Sequence, residues 1–395
     1  MGSLAGLRVI DLSRVLGGPF CTQLLADHGA TVIKVEPPQG DETRDWGPPF
    51  QGDASSYFLG LNRNKLGIAL DLTATEGRGV LMTLLADADV LVENFKPGTL
   101  ERWGIGYEQC LASRFPRLVH CRVSGFGSEG PLGGLPGYDA VIQAMCGLMS
   151  VNGEKGGDGT RIGVPVVDMV TGLNAAIGVL LALQERQRSG RGQFVEATLY
   201  DSGLSLMHPY IPNFLLSGQV ARPAGNAHPN ICPYDSFPTR TCAIFLAVGN
   251  DAQFARLCAY LGAAQTSTDQ RFRTNGDRLR HAAELRSLLE DLLASRDGNV
   301  VAQELMQCGV PCGPVLDVAA ALAHPHALAR QRVVHVGEYS GIASPVSLSR
   351  TPASYRCAPP SYGQHSRQVL AAAGYDASAL DDLMRRKIAP SSRVN

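Results

Sequence analysis

The stretch "LRVIDLSRVLGGPFCTQLLADHGATVIKVE", Leu7 to Glu36, decides the fold class. "LRVIDL" is a short apolar run with β-branched residues, as in a buried strand. "GPFCTQLLADHGA" spaces its apolar residues like a helix and stops near Gly29. "TVIKVE" is a second buried strand ending at Glu36. The alternation continues through "GIALDL", "EGRGVLMTLLADA", "DVLVENF" and "RLVHCRVSGFG". Strands alternating with helices predict an α/β fold with a large, doubly wound, Rossmann-like parallel sheet. Ligands of such sheets gather at the carboxyl ends of the strands. A nicotinamide site with Glu36 on the ribose is the first candidate, and the residues argue against it. The first turn reads "SRVLGGPFC", with Pro19 after adjacent glycines, and carries no GxGxxG.

The chain has 395 residues, enough for about two to three domains. Apolar residues make up 45% and charged residues 18%, a globular composition. The net charge of −1 gives no support to nucleic-acid binding or to a polybasic membrane contact, and neither partner is expected. Met1 is followed by a strand-like run, with no basic region or cleavage site, and "MGSLAG" lacks the myristoylation pattern. The ten cysteines are scattered, and Cys308 with Cys312 is the one close pair. That predicts reduced thiols in a cytoplasmic protein and no metal site. The most apolar segment, Val170 to Leu183, reads as too short and interrupted for a membrane span.

Helices are expected over about Tyr138–Ser150 and Asp168–Arg188, separated by the glycine-rich loop "VNGEKGGDGTRIGVP". A long apolar helix is expected to end near Leu216. Residues 1–215 then form the N-terminal part of a large domain. Residues 216–243, rich in Pro, Asn and Gly, read as a linker. Residues 244–330 form a small domain dominated by short helices, and 331–395 a further linker and C-terminal segment with a helix near Arg367 to Ala373.

"GVPVVDMVTG", Gly163 to Gly172, places one carboxylate, Asp168, in an apolar run. A buried carboxylate is costly unless paired or solvated. Asp168 falls where a helix should begin, so it reads as an N-cap; a helix start also stabilises an anion that acts as a nucleophile. Asp139, in "PGYDAVIQA", likewise follows a Pro-Gly turn and opens a helix. Two acids in different environments can divide roles between nucleophile and support.

Nine phrases in order carry a family resemblance: "LAGLRVIDLSRVLGGPF", "LLADHGATVIKVEPPQGDETRDWGP", "NRNKLGIALDL", "DVLVENFKPGTLERWG", "VSGFGSEGPL", "GYDAVIQAMCGLMSVNG", "GRGQFVEATLYD", "HPNICPYDSF" and "GVPCGPVLDV". Together they resemble the class III coenzyme A transferases, which include formyl-CoA and carnitine-CoA transferases and their relatives the α-methylacyl-CoA racemases. The likeness runs from about Leu4 to Leu383. It implies two interlocked, ring-shaped chains in a homodimer, each with a large domain built from both chain ends and a small α+β middle domain. It implies no permanent cofactor, and an acyl-CoA thioester and a carboxylic acid as substrates.

The resemblance also implies roles. Asp168 matches the aspartyl nucleophile, supported by Asp139 and Tyr138. The racemases carry a catalytic His where this chain has Tyr138, and a phenol is a poor base at neutral pH. That favours transfer over epimerisation. Coenzyme A contacts map to Val15, Leu16, Leu70, Asp71, Leu72, Thr73, Asn94, Phe95, Lys96 and Arg102, with Tyr138 and Asp139 at the pantetheine end. Where formyl-CoA transferase has an Arg after the Glu of its second strand, this chain has Pro37, so a phosphate contact is either missing there or supplied by Arg44. Arg44 and His228 are candidates for the acyl pocket. The family's glycine-rich lid corresponds to "AVGNDAQF", which holds a single glycine. Arg14, Arg44, Arg63, Arg161 and Arg240 are candidates to bind a second carboxylate. The expected reaction moves CoA from succinyl-CoA to a short dicarboxylic acid such as itaconate, citramalate or glutarate. The alternatives are a 2-methylacyl-CoA racemase and a catalytically silent CoA-binding protein. A serine or cysteine thioesterase is weaker, because no GxSxG elbow is present.

Overall fold

The structure, a computed structural model, describes residues 2–394. The chain divides into two compact units. The first comprises Met1–Leu148, Ile162–Pro212 and Arg330–Asn395, and the second Met149–Arg161 and Asn213–Ala329.

The first unit is built on six parallel strands: β1 (Arg8–Asp11), β2 (Thr31–Glu36), β3 (Lys65–Ala69), β4 (Val90–Glu93), β5 (Val119–Ser124) and β6 (Phe194–Thr198). Their order across the sheet is β3-β2-β1-β4-β5-β6. This is the doubly wound order of dinucleotide-binding folds, achieved without the glycine fingerprint in the turn after β1. Helix α1 (Gly17–Asp27) makes the first crossover and α2 (Thr75–Leu85) the third. Ile10, Ile33, Val35, Ile68 and Leu91 of the strands pack with Val80, Leu81, Leu84 and Leu85 of α2. Val369, Leu370, Leu380 and Leu383 of the C-terminal segment join the same core. Each such side chain contributes about 1.5–3 kcal/mol by leaving water. The C-terminal helices are Ser366–Ala372 and Ala377–Arg385; the second was not expected from the sequence.

Two further helices matter for the site, α3 (Asp139–Met145) and α4 (Val166–Ser189). α4 has 24 residues and ends at Gly190, whose φ of 73° closes the helix. It overturns the expectation that the apolar run is too short to span a membrane: by length and composition alone it is long and apolar enough. Its extra turns come from residues on either side of Val170–Leu183. Within the first unit it packs along α1 and against β5 and β6. A Cβ at Gly172 would lie 2.6 Å from the Gly17 carbonyl oxygen, so only glycine lets α4 rest on the start of α1. The long helix expected to reach Leu216 is instead two, Leu199–Ser205 and Tyr210–Ser217. Pro209 breaks it, because it lacks an N–H and disfavours helical geometry at His208.

The second unit holds a three-stranded antiparallel sheet, with β7 (Tyr234–Phe237), β8 (Ile244–Ala247) and β9 (Cys312–Pro314) in the order β9-β8-β7. Helices α5 (Asp251–Leu261), α6 (Ala282–Leu293) and α7 (Gly298–Gln307) accompany it, and its core gathers Phe237, Leu246, Leu257, Leu289 and Leu305. Two boundaries differ from the sequence reading. β7 lies inside 216–243, where Pro and Asn disguised a strand that gains its hydrogen bonds from β8. Residues 149–161 belong to the second unit, where the Gly225 N–H donates to the Gly153 carbonyl at 2.9 Å.

Candidate active site

The strand order reverses between β1 and β4, and the loops after these strands diverge. A crevice forms there at the carboxyl edge of the sheet. Two clefts meet at this point. One, of about 250 Å³, is bordered by Arg14, Val15, Leu16, Asn94, Phe95, Lys96, Tyr138 and Asp168. The other, of about 180 Å³, is bordered by Leu70, Asp71, Leu72, Thr73, Pro37 and Trp103. Arg14 and Phe95 border both. Most residues that the motifs assign to coenzyme A therefore line two adjoining hollows.

Buried charge holds the first loop in place. The Asn94 side chain accepts from the Arg14 N–H at 2.9 Å and donates to the Arg14 carbonyl at 2.7 Å. Val15 sits at φ 68°, a region β-branched residues avoid, so the surroundings impose its conformation. Beneath it Lys34 pairs with Asp41 at 2.9 Å and Lys65 with Asp11 at 3.0 Å, all fully buried. Burial raises the proton affinity of Asp11, but the Lys65 and Lys34 charges outweigh it and hold the carboxyl below its usual range. Burial brings Lys65 down to about 8 despite Asp11.

Asp168 is not the helix cap that the sequence suggested. Pro165 holds the N-cap position and Asp168 is the third residue of α4, in its first turn. The cap comes from another helix. Asp139, only 7% exposed, accepts from the Val167 N–H at 2.9 Å and the Asp168 N–H at 3.2 Å. Asp139 in turn is not the N-cap of α3; Tyr138 is, and Asp139 is the first helical residue. Its other oxygen accepts from the Gln143 side chain at 2.5 Å, and the Gln143 amide oxygen accepts from the Ile162 N–H at 2.8 Å. One buried amide thus ties α3 to the segment that enters α4.

This frame leaves the Asp168 carboxylate half-buried at the cleft wall, accepting no hydrogen bond from any described residue. Burial and then the Asp139 charge raise its pKa from 3.8 to about 7, against the pull of the helix dipole. Tyr57 faces the same pair: burial and then the charges of Asp168 and Asp139 push its phenol up to about 12. Its ring meets Trp46 edge-on at 5.2 Å. Tyr138 is 57% exposed at the rim of the Asp168 cleft. A half-buried, unpartnered carboxylate of raised basicity beside a cleft is suited to nucleophilic attack.

Several expected residues lie elsewhere. Arg44 is fully buried and cannot serve as an acyl-pocket or phosphate ligand. It forks onto Glu36 at 2.7 and 2.8 Å, donates to the Pro360 carbonyl and stacks 3.8 Å over Phe58. Arg63 is likewise spent on Asp27 at 2.6 Å. Arg102 is exposed on the one-turn helix Thr99–Arg102, donating to Thr99, and borders neither cleft. His228 belongs to the second unit, in a larger cavity of about 660 Å³ that contains none of the other site candidates; its ring packs on Tyr234 and its Nδ1 accepts from the Asn230 N–H. "AVGNDAQF" is a capped helix start: Asn250 accepts from the Gln253 N–H, and Gln253 from the Gly249 N–H. Sequence reading missed Gln143 and Tyr57. Gln143 was within reach, four residues beyond Asp139 on one helix face. Tyr57 carries no local signal.

The family model for CoA-transferase family III matches residues 4–366. A succinate–glutarate CoA-transferase of Agrobacterium fabrum is 39% identical, over 93% of this chain and 95% of its own. A succinyl-CoA–D-citramalate CoA-transferase of Chloroflexus aurantiacus is also 39% identical, over 93% of each chain. The crystal structure of a CaiB/BaiF family protein from Brucella suis superposes with a TM-score of 0.85 at 38% identity, covering 94% of this chain and 99% of that one. With a doubly wound sheet, paired clefts at its switch point and relatives of this kind over more than nine-tenths of its length, the chain belongs to CoA-transferase family III.

Proposed function

We propose that this chain moves CoA from succinyl-CoA to a short dicarboxylic acid, with Asp168 as the nucleophile. The observation that carries this reading is the Asp168 carboxylate, unpartnered at the wall of the switch-point cleft while Asp139 holds the first turn of its helix. The dicarboxylate class rests on the acids for which the relatives are named.

The chemistry balances without ATP. The Asp168 carboxylate attacks the thioester carbonyl, the C–S bond breaks, and the CoA thiolate leaves a mixed anhydride. The thiolate then attacks the aspartyl carbonyl, releasing the donor acid and leaving Asp168 as a CoA thioester. The acceptor carboxylate attacks that carbonyl to give a second anhydride and the thiolate again. Thiolate attack on the acceptor carbonyl yields the new acyl-CoA and returns Asp168. Each intermediate is open to hydrolysis, so the cleft must exclude water. The Gly17 N–H, at the start of α1 and bordering the same cleft, is a candidate donor to the developing oxyanions.

Val15, Leu16, Asn94, Phe95 and Lys96 hold the coenzyme in one cleft and Leu70, Asp71, Leu72 and Thr73 in the other. No cofactor is retained between turnovers. The reading includes a homodimer of interlocked chains: Leu173, Ile177, Leu180 and Leu181 leave an apolar face of α4 exposed, as a second copy would require. It also places the enzyme in the cytoplasm, since all ten cysteines are free thiols. The test is a panel assay with succinyl-CoA as donor and glutarate, citramalate, itaconate and monocarboxylates as acceptors. Transfer to the dicarboxylates, lost in Asp168→Ala, is expected. Full turnover by Asp168→Ala, or α-proton exchange from 2-methylacyl-CoA in place of transfer, would remove the proposal.

A further inference from the structure

Arg14 is a cation without a partner. Its backbone is clamped on both sides by Asn94, yet its guanidinium makes no hydrogen bond or ion pair with any described residue. Its Nε is buried and unsatisfied. Unsatisfied buried donors are rare in folded chains and call for an explanation. The arginines of this unit that are buried as whole residues have carboxylate partners, Arg44 with Glu36, Arg63 with Asp27, Arg122 with Glu93 and Arg186 with Asp89, although the Nε atoms of Arg186 and Arg8 are also unsatisfied.

The position of Arg14 supplies the explanation. It borders both clefts, and among the residues lining them only Arg14 and Lys96 are cationic. One cleft ends at Asp168, where the thioester reacts. The other is walled by Leu12, Val35, Leu70, Leu72, Phe95 and Trp103, apolar surface suited to a purine ring. Along coenzyme A the order is thiol, pantetheine, diphosphate, then ribose and adenine. Laid from Asp168 into the apolar cleft, it brings its diphosphate to the seam between them. A planar guanidinium with free donors on a fixed backbone matches phosphate oxygens in pairs.

We propose that Arg14 is the residue that binds the coenzyme A diphosphate, taking the place that Pro37 leaves without charge and that Arg44 cannot fill. The inference rests on the reading that the two clefts hold an acyl-CoA. It gives the enzyme a phosphate contact on the loop that also shapes the reacting end, so donor recognition and placement of the thioester act through one segment.

The test compares wild type with Arg14→Gln using three donors: succinyl-CoA, succinyl-dephospho-CoA, which keeps the diphosphate but lacks the 3′-phosphate, and succinyl-pantetheine, which has no phosphate. Arg14→Gln should lower kcat/KM about tenfold or more, and equally, for the first two. It should leave kcat/KM for succinyl-pantetheine and KM for glutarate unchanged. An equal loss with succinyl-pantetheine would mean a structural role and overturn the assignment. A loss confined to succinyl-CoA would place Arg14 on the 3′-phosphate, and a loss confined to glutarate on the acceptor; either overturns it. Calorimetric titration with CoA separates the two claims. If wild type binds no CoA, the reading of the clefts fails; if wild type and Arg14→Gln bind it equally, the inference alone fails.

Discussion

Replacing Asp168 with Asn should make the protein more stable at neutral and alkaline pH while abolishing transfer. The folded-state pKa of Asp168 is raised from 3.8 to about 7. Between those values the folded chain keeps a proton that the unfolded chain has released. The stability this group contributes is therefore present in full below pH 3.8 and is lost as pH rises through about 7. A difference of about 3 units corresponds to about 4 kcal/mol, and water at the exposed part of the side chain screens it to about 2–4 kcal/mol. Asn does not titrate, and Asp168 accepts no hydrogen bond that Asn would lose. Urea unfolding of both proteins from pH 4 to pH 8.5 should show curves that coincide at the acid end and separate by about 2–4 kcal/mol above pH 7. A separation that does not change with pH, or a variant less stable at pH 8, would refute the argument that burial and the Asp139 charge set the basicity of this carboxylate.

Other perturbations test the frame around it. The acid limb of kcat/KM should lie near pH 7 and move to lower pH in Asp139→Asn, which removes the second cause of the raised value; pH–rate profiles for the free enzyme measure it. In Arg44→Met, Glu36 stays buried without its cation, so stability should fall by about 3–5 kcal/mol in denaturant unfolding. The KM for succinyl-CoA should not change, because Arg44 faces neither cleft. In Gly172→Val the new Cβ meets the Gly17 carbonyl, 2.6 Å from where it must sit. The displaced first turn of α4 should lower kcat about 10²-fold in steady-state assays.

The parallel sheet was legible because strands buried on both faces are written as short, continuous apolar runs, as in "LRVIDL" and "TVIKVE". Strand order was not. β1 pairs with β4 through Val9 and Val90, a partnership no local pattern encodes. The same limit explains the caps. A helix start was visible near Asp168, but its cap is a carboxylate from α3, and spacing says nothing about which helices meet. Arg44 misled because an arginine in a motif region reads as a ligand, while its pairing with Glu36 depends on how the intervening loop folds back. The motif phrases located most of both cleft walls, since loops after strands keep their place at the sheet edge. They did not reveal that Arg14 joins the two walls or that Gln143 anchors Asp139.

The proposed mechanism loads the acyl group and then CoA onto one aspartate, Asp168. Brief incubation with succinyl-CoA, a hydroxylamine quench and peptide mass spectrometry address it directly. A hydroxamate is expected on the peptide containing Asp168 and none on that of Asp168→Asn. Efficient transfer with Asp168 unmodified, or the label on another residue, would contradict it.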